Sequence, residues 1–243
     1  VTSADVIVVG AGVIGSSVAF ELVKSGRKVV VVDKAGGPGQ GSTSASSAIV
    51  RFDYSTRDTV ATAWESFHCW ADWAEHLEAP GDPGLAKYVR TGYINFDVPI
   101  APMSRTVKLY DELGVRYEVW DAETLKRRLP GIDVGRYWPP KPVDDDGFYA
   151  DATGEISGIF EPDGGYIDDP QLAALNLASA AQRRGVGFLF NRTVTAVERH
   201  VDQVRGVTLS DGTRIDAPTV VNAAGPWSTA LNRLAGVGWS GSS

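Results

Sequence analysis

The residues whose types and spacing most clearly indicate chemistry lie in the stretch VGAGVIG, where Gly10, Gly12 and Gly15 follow a run of β-branched residues. In such a pattern the first glycine permits a tight turn, the second leaves room for a pyrophosphate, and the third lets the next helix lie close to the strand. Free N–H groups at the start of that helix attract an anion. Asp33 ends a second apolar run, near the roughly 20-residue spacing of an acid that accepts ribose hydroxyls. The spacing predicts dinucleotide binding, and a purely structural turn is the alternative.

A second group of polar residues directly follows Asp33, in the Gly- and Ser-rich stretch AGGPGQGSTSASS. A loop that leaves the carboxyl end of a strand lies where ligands bind in a doubly wound sheet. Small hydroxyl groups in this loop can donate to phosphate oxygens or to the polar edge of a ring. They belong to Ser42, Thr43, Ser44, Ser46 and Ser47. A flexible linker is the alternative interpretation.

The elements that must position these residues follow from the hydrophobic pattern. Residues 6–9 and 29–32 predict strands, and residues 13–24 predict the helix between them. Apolar and aromatic residues at helical spacing predict one long amphipathic helix over residues 56–78. We further expect helices at 101–114, after Asp121 and at 170–184, and an antiparallel meander of three short strands from residue 193 onwards. The meander leads into a buried strand that ends in NAAG, a second glycine-bearing approach to the same dinucleotide.

Composition excludes several functional classes. The chain of 243 residues is 43% hydrophobic and 22% charged, which is typical of globular material with one or two domains. A net charge of −7 without a basic run argues against a nucleic-acid surface. The single cysteine, Cys69, rules out an intrachain disulfide and a cysteine-rich metal site, so we expect no metal and a reducing, cytoplasmic setting. The apolar runs are strand-sized, and no membrane span is expected.

Four stretches resemble the D-amino-acid oxidase (DAO) superfamily of FAD-dependent amine and amino-acid oxidoreductases, in particular its sarcosine oxidase and dimethylglycine dehydrogenase branch. In chain order they are VIVVGAGVIGSSVAFELVKSGRKVVVVDK, GSTSASSAIVRFDYS, GGYIDDPQLAALNLASAAQRRGVGFLFNRTVTAVE and VVNAAGPWS. The first is common to many flavin and nicotinamide enzymes, whereas the combination is specific. The resemblance implies an α/β fold: a Rossmann-like FAD-binding domain with an inserted β-meander, and the first part of an antiparallel-sheet α+β substrate domain. Residues 1–90 and 161–228 would form the FAD-binding domain. Residues 91–160 would form the first part of the substrate domain, and residues 229–243 the start of its second segment.

The resemblance also assigns residues to the cofactor. The three glycines would hold the FAD pyrophosphate and Asp33 the adenosine ribose, while Val194 falls where the family places backbone contacts to adenine. The residues implied to contact FAD are Gly10, Gly12, Val13, Ile14, Gly15, Asp33, Lys34, Ser42, Thr43, Ser44, Ser46, Ser47, Val194, Ala224, Gly225 and Trp227.

For the substrate, the resemblance points to Arg51, which matches an arginine that contacts the substrate carboxylate in sarcosine oxidase-like enzymes. A guanidinium suits this task because it offers a planar fork to a carboxylate. An ion pair with Asp53 is the alternative, and Tyr54 could line the same pocket. The implied reaction is oxidation of a C–N bond of an amine or amino acid, with hydride transfer to flavin N5 and hydrolysis of the resulting imine.

Members of the superfamily continue well beyond the length of this chain. We therefore expect a second polypeptide to complete the fold, either as a separate subunit or as the other product of cleavage after Ser243, and accidental shortening is the alternative. Two other functions stay open at this point. One is an NAD-dependent dehydrogenase, since the glycine pattern serves both dinucleotides. The other is a non-catalytic FAD-holding subunit whose partner performs the chemistry.

Overall fold

The computed structural model describes residues 3–238, which divide into two compact units. Residues 239–243, the end of the predicted second substrate-domain segment, lie outside the described residues. The helices are α1 (Val13–Lys24), α2 (Arg57–Ala71), α3 (Trp73–His76), α4 (Met103–Leu113), α5 (Ala122–Arg128), α6 (Pro170–Arg183) and α7 (Ser228–Leu234). The strands are β1 (Val6–Val9), β2 (Val29–Val32), β3 (Ile49–Val50), β4 (Tyr88–Arg90), β5 (Tyr93–Phe96), β6 (Glu118–Trp120), β7 (Gly158–Glu161), β8 (Gly165–Ile167), β9 (Gly187–Leu189), β10 (Val194–His200), β11 (Gln203–Leu209), β12 (Arg214–Asp216) and β13 (Thr219–Asn222).

The first unit, residues 3–48, 72–87 and 167–238, is built on a parallel sheet in the order β13-β1-β2-β9. Val6 lies opposite both Thr219 and Val29, which places β1 between β13 and β2. Every residue of β2 is buried, as expected where both faces of a parallel sheet are covered. The predicted strands at 6–9 and 29–32 and the helix at 13–24 are confirmed. Since all four strands are parallel, their carboxyl ends meet at one edge, where ligands bind in such sheets.

An antiparallel meander of β10, β11 and β12 belongs to the same unit, as the alternating pattern predicts. Its inward residues Val207 and Ile215 are fully buried in one core with Ile7 and Val32 of the parallel sheet. The predicted helix at 170–184 is α6, which packs on α1 through a face rich in buried alanines. The core of this unit therefore fixes the carboxyl edge of the parallel sheet.

The second unit, residues 49–71 and 88–166, carries two three-stranded sheets, β3-β8-β4 and β5-β7-β6. The register of β7 with β5 and with β6 is antiparallel, which agrees with the expected antiparallel α+β arrangement. Helices α2 and α4 pack together over a core that includes Phe52, Phe67 and Tyr110. Gly114, with φ +71°, caps the C-terminus of α4, and Asp121 caps α5 by accepting the N–H of Thr124 at 2.8 Å. Both predicted helix limits are confirmed.

The prediction of one helix over residues 56–78 is wrong. The chain forms α2 and α3, which are separated at Asp72 with φ −114° and ψ 42°. The physical reason is a change of core within a continuous helical pattern. Phe67 is buried in the second unit, whereas Trp73 and Leu77 are buried in the first, and the division between the units falls directly before Asp72.

Two kinds of feature are not found in the part of the chain that the structure describes. No helix between residues 3 and 238 combines the length and apolar character needed to cross a membrane. Over the same residues, no three or more His, Cys, Asp or Glu side chains are grouped to hold a metal ion.

Candidate functional site

A cavity of about 500 Å³ opens at the carboxyl edge of the parallel sheet of the first unit. This volume lies within the range of small-molecule sites, about 300–1,000 Å³. Of the sixteen residues predicted to contact the cofactor, thirteen line the cavity, and the other three, Gly15, Ser44 and Ser47, do not. The structure thus brings together most of a set that spans the chain from Gly10 to Trp227.

The glycine turn forms one wall of the cavity. Gly10 has φ +109°, and a Cβ on it would lie 2.3 Å from the carbonyl oxygen of Ala223. A Cβ on Gly15 would lie 1.8 Å from the carbonyl oxygen of Gly10, so α1 can approach β1 only through a glycine. A Cβ on Gly12 would lie 3.1 Å from Oγ1 of Thr43. The first and third glycines are therefore required by the fold, and the second keeps backbone open at the start of the helix.

The side chain of Asp33 has a structural task that the sequence reasoning did not foresee. Its Oδ2 accepts the backbone N–H of Ala11 at 2.6 Å, and its Oδ1 accepts that of Ala35 at 2.8 Å. Each carboxylate oxygen has a further lone pair, so these bonds leave acceptor capacity for ribose hydroxyls. Asp33 therefore shapes the glycine turn and faces the cavity with the same group.

The Ser-rich loop after β2 is attached to the glycine turn. The N–H of Gly39 donates to the carbonyl of Ala11 at 2.9 Å, and Oγ1 of Thr43 accepts the N–H of Val13 at 3.1 Å. Ser42, Thr43 and Ser46 line the cavity. The hydroxyl of Ser44 instead donates to the carbonyl of Gly41 at 3.0 Å, within the loop itself. These bonds give the segment a defined conformation, unlike a flexible linker.

The opposite wall comes from the segment after β13. The N–H of Ala223 donates to the carbonyl of Val9 at 2.9 Å and extends the pairing of the two strands into the turn. Ala224, Gly225 and Trp227 follow and line the cavity. Nζ of Lys34 lies 3.3 Å from the centroid of the Trp227 ring, a cation–π contact that joins the two walls.

Several cavity residues were missed by the sequence reasoning. Arg192 and Thr193 follow β9 at the same edge of the sheet, and the N–H of Arg192 donates to the carbonyl of Asp33 at 3.0 Å. The rule that ligands lie beyond the carboxyl ends of parallel strands would have found both, had it been applied to the strand GFL. Leu231 and Leu234 of α7, a helix that was not predicted, add apolar surface.

The combination of walls fits the adenosine and pyrophosphate of a dinucleotide. Backbone at Gly12 and Ile14 suits an anion, because it lines the cavity at a helix N-terminus that carries positive partial charge, while the N–H of Val13 is taken by Thr43. The carboxylate of Asp33 suits hydroxyl donors, and Val194 at the start of the meander offers backbone beside apolar side chains. A Cβ on Gly12 would require Oγ1 of Thr43, 3.1 Å away, to shift slightly, so glycine leaves the widest access here.

In the second unit, Arg51 forms the ion pair that the sequence left as an alternative to substrate binding. Its Nη1 lies 2.5 Å from Oδ1 of Asp53, whose side chain is 8% exposed. Burial lowers the pKa of Arg51, but the hydrogen bond and the charge of Asp53 outweigh it, so the pKa is raised. The Arg51 side chain is 36% exposed, and Cζ of its guanidinium lies 5.0 Å from the ring centroid of Tyr54 and 6.0 Å from that of Tyr93. Asp53 occupies only part of the guanidinium fork.

A buried carboxyl group, that of Glu161, contacts the backbone of the residue that follows Arg51. Glu161 is 0% exposed; its Oε2 accepts the N–H of Phe52 at 2.9 Å, and its Oε1 accepts the hydroxyl of Tyr110. Burial raises the pKa of Glu161 to about 7, against the opposing effect of both hydrogen bonds. Burial and the charge of Glu161 likewise raise the pKa of Tyr110. A glutamate inside the apolar strand GIFE is the signal that could have identified the cluster.

Comparisons with known proteins agree with this geometry. A family model described as DAO, FAD dependent oxidoreductase, matches residues 5–239. The N-methyl-L-tryptophan oxidase of Yersinia pestis (strain Pestoides F) is 29% identical over 225 residues, which cover 92% of this chain and 54% of that protein. The chain thus spans about half the length of the curated relatives it matches.

Solved structures share the fold. L-proline dehydrogenase from P. horikoshii matches with a TM-score of 0.78 at 22% identity, over 97% of this chain and 56% of that one. Glycine oxidase from Geobacillus kaustophilus matches with a TM-score of 0.74 at 22% identity, over 99% of this chain and 60% of that one. The predicted fold class is confirmed, and FAD rather than NAD is the cofactor of the matching family. Because the family model spans nearly all of the sequence, this chain belongs to the DAO family of FAD-dependent oxidoreductases.

Proposed function

We propose that this chain binds FAD in the cavity of the first unit and forms part of an enzyme that oxidises a C–N bond of an amine or amino acid. The proposal rests on one observation. The glycine turn and the segment from Ala224 to Trp227 form two walls of a single cavity, and Asp33 lies at its edge. The family of the chain supports FAD as the ligand. The name of the relative, N-methyl-L-tryptophan oxidase, supports an amino acid as the substrate class.

Each wall has a role in this proposal. The backbone at Gly12 and Ile14 binds the pyrophosphate, Val13 lines the cavity beside them, and Asp33 binds the ribose. Lys34 and Trp227 confine the cofactor from two sides, and the backbone at Val194 borders the adenine. Gly15, Ser44 and Ser47 act indirectly, by holding the helix and the loop that present the contacting residues.

When bound, FAD supplies the acceptor for hydride from the substrate carbon next to nitrogen, and the resulting imine hydrolyses in water. Arg51 binds the carboxylate of an amino-acid substrate through the part of its fork that Asp53 leaves open. Tyr54 and Tyr93 flank the guanidinium and limit its hydration. The nitrogen of the substrate must be neutral for hydride to leave.

The activity proposed here is that of the complete protein. In the curated relatives, the part that this chain does not match is nearly as long as the part that it matches. A second polypeptide that supplies it stays a prediction, as do the cytoplasmic location and the assignment of residues 1–90 and 161–228 to the cofactor and 91–160 to the substrate. The intact mass of the protein purified from its natural source distinguishes one polypeptide from two.

The experiment is an anaerobic absorption spectrum of the complete protein before and after addition of secondary amines and amino acids. We expect flavin bands that bleach with at least one amino acid. Arg51→Ala retains the bands and loses bleaching by that amino acid. Arg57→Ala is the matched control, because Arg57 is also in the second unit but pairs with the exposed Glu112 at 2.5 Å.

Flavin bands without bleaching by any substrate of the panel would favour the non-catalytic FAD-holding role. A protein without flavin bands that cannot be reconstituted with FAD would contradict the proposal itself.

A further inference from the structure

Strand β3 ends at Val50, one residue before Arg51, so the backbone of Arg51 lies outside the sheet. Strand β3 consists of Ile49 and Val50 only, paired with Tyr166 and Gly165 of β8. Beyond Val50 the next buried N–H, that of Phe52, is taken by the carboxylate of Glu161 at 2.9 Å. A side chain from 109 positions away therefore substitutes for the missing sheet partner.

Phe52 itself is fixed on all sides. Its ring is 0% exposed and makes edge contacts with Trp64 at 5.1 Å and with Phe67 at 5.6 Å between centroids. Both the N–H and the ring of Phe52 are therefore held in place. Its two neighbours in the chain, Arg51 and Asp53, form an ion pair with each other. The position of the guanidinium is thus set through Phe52.

The carboxylate of Glu161 is held in turn. Tyr110 of α4 is fully buried and donates its hydroxyl to Oε1, so the two oxygens of Glu161 have separate partners. The titratable and charged groups that face Glu161 are Tyr110, Tyr88, Tyr93, Asp53 and Arg51. A buried side chain with both oxygens satisfied has little freedom to move.

We propose that Glu161 is a positioning residue for Arg51: by accepting the N–H of Phe52, it presents the guanidinium to the carboxylate of an amino-acid substrate. This role rests on the proposed function of Arg51. It does not require Glu161 to touch substrate or cofactor.

The test compares three substitutions of Glu161 in the complete protein. Glu161→Gln keeps an amide oxygen for Phe52, whereas Glu161→Ala and Glu161→Leu supply no acceptor. The leucine variant fills the volume and is used where the alanine variant does not fold. Tyr110→Phe is the matched control, since it removes the other partner of Glu161 but leaves the bond to Phe52.

The first readout is independent of catalysis: the rate at which phenylglyoxal modifies Arg51, followed by peptide mass analysis, with Arg57 as internal reference. We expect Arg51 to react about tenfold faster in the alanine and leucine variants and at the wild-type rate in Glu161→Gln and Tyr110→Phe. An unchanged Arg51 rate in the folded alanine or leucine variant would overturn the positioning role.

The second readout is the kinetic split between an amino acid that the wild type oxidises and the same molecule without its carboxylate. We expect the alanine or leucine variant to raise KM about tenfold for the amino acid, with kcat within about threefold and no change for the decarboxylated amine. An equal rise for both compounds would show a general structural effect and overturn the proposal. A wild type that oxidises no amino acid would contradict the proposed function, while the modification rates still decide the position of Arg51.

Discussion

The carboxylate of Asp33 accepts the backbone N–H of Ala11 at 2.6 Å, across 22 positions of the chain. The acid that ends the second strand therefore holds the turn that follows the first. Its other oxygen accepts the N–H of Ala35 at 2.8 Å, where the Ser-rich loop begins. One side chain thus joins the glycine turn, the strand end and the loop around the cavity.

Replacement of Asp33 should reduce both stability and FAD affinity. Asp33→Ala leaves the N–H of the fully buried Ala11 without an acceptor, which costs about 1–3 kcal/mol of unfolding free energy. Asp33→Asn retains one acceptor oxygen and should lie between the alanine variant and the wild type. Chemical denaturation and titration with FAD measure the two effects. Asp5→Ala is the control, because Asp5 also accepts a backbone N–H, that of Lys28, but at an exposed position; equal losses in both variants would contradict a special role for Asp33.

The three glycines should respond differently to alanine. At Gly15 the new Cβ would lie 1.8 Å from a backbone oxygen, so we expect a loss of about 3 kcal/mol or more in unfolding free energy. At Gly12 the Cβ meets only the hydroxyl of Thr43 at 3.1 Å, so stability should change by less than about 1 kcal/mol while FAD affinity falls. Gly26→Ala, with open space but φ +82°, reports backbone strain alone. Denaturation curves with and without FAD separate these cases, and a tolerated Gly15→Ala would be inconsistent with the close approach of α1.

The contact between Lys34 and Trp227 should appear as an energetic coupling. A double-mutant cycle with Lys34→Met and Trp227→Leu measures the coupling energy between the two side chains. We expect a coupling of about 0.5–1 kcal/mol in unfolding free energy, because the pair is only partly shielded from water. Both single variants should also weaken FAD binding, since both residues line the cavity. The control pair is Arg128 and Trp120, with 5.8 Å between guanidinium and ring centroid in the second unit. Additive effects of the two cavity substitutions would show that the residues do not interact.

Glu161 should make the wild type less stable as the pH rises. Its pKa in the folded protein is about 7, above the ordinary 4.5, so between these values the folded state binds more protons than the unfolded state. The contribution of Glu161 to stability is then largest below about pH 4.5 and falls by about 3 kcal/mol by pH 7, after which it stays nearly constant. Glu161→Gln removes the dependence, so its advantage over the wild type should grow across this window. Denaturation midpoints from pH 4.5 to 8 provide the measurement, with the exposed Glu155→Gln as control; parallel profiles would contradict the shifted pKa.

Local patterns predicted much of the first unit. The bounds of β1, α1 and β2 follow from runs of β-branched residues, glycine and helical spacing, all of which act within a few positions of the chain. The same reasoning failed for residues 56–78, because a helical pattern does not reveal that its two ends are buried in different cores. It also missed Arg192 and Thr193 as cavity residues, because their place at the sheet edge depends on the pairing of β9 with β2, which no local pattern reveals.

The sequence by itself determined the glycine turn and the acid at the end of β2, because these depend on residue types at short spacing. It also indicated the family and hence the cofactor, through the order of four stretches along the chain. Only the tertiary structure decided which partners those residues meet. Asp33 bonds to Ala11, Lys34 contacts Trp227, and Glu161 supports Phe52, through separations of 22, 193 and 109 positions. Such contacts arise from the packing of distant segments, and burial then sets the charge state of Glu161.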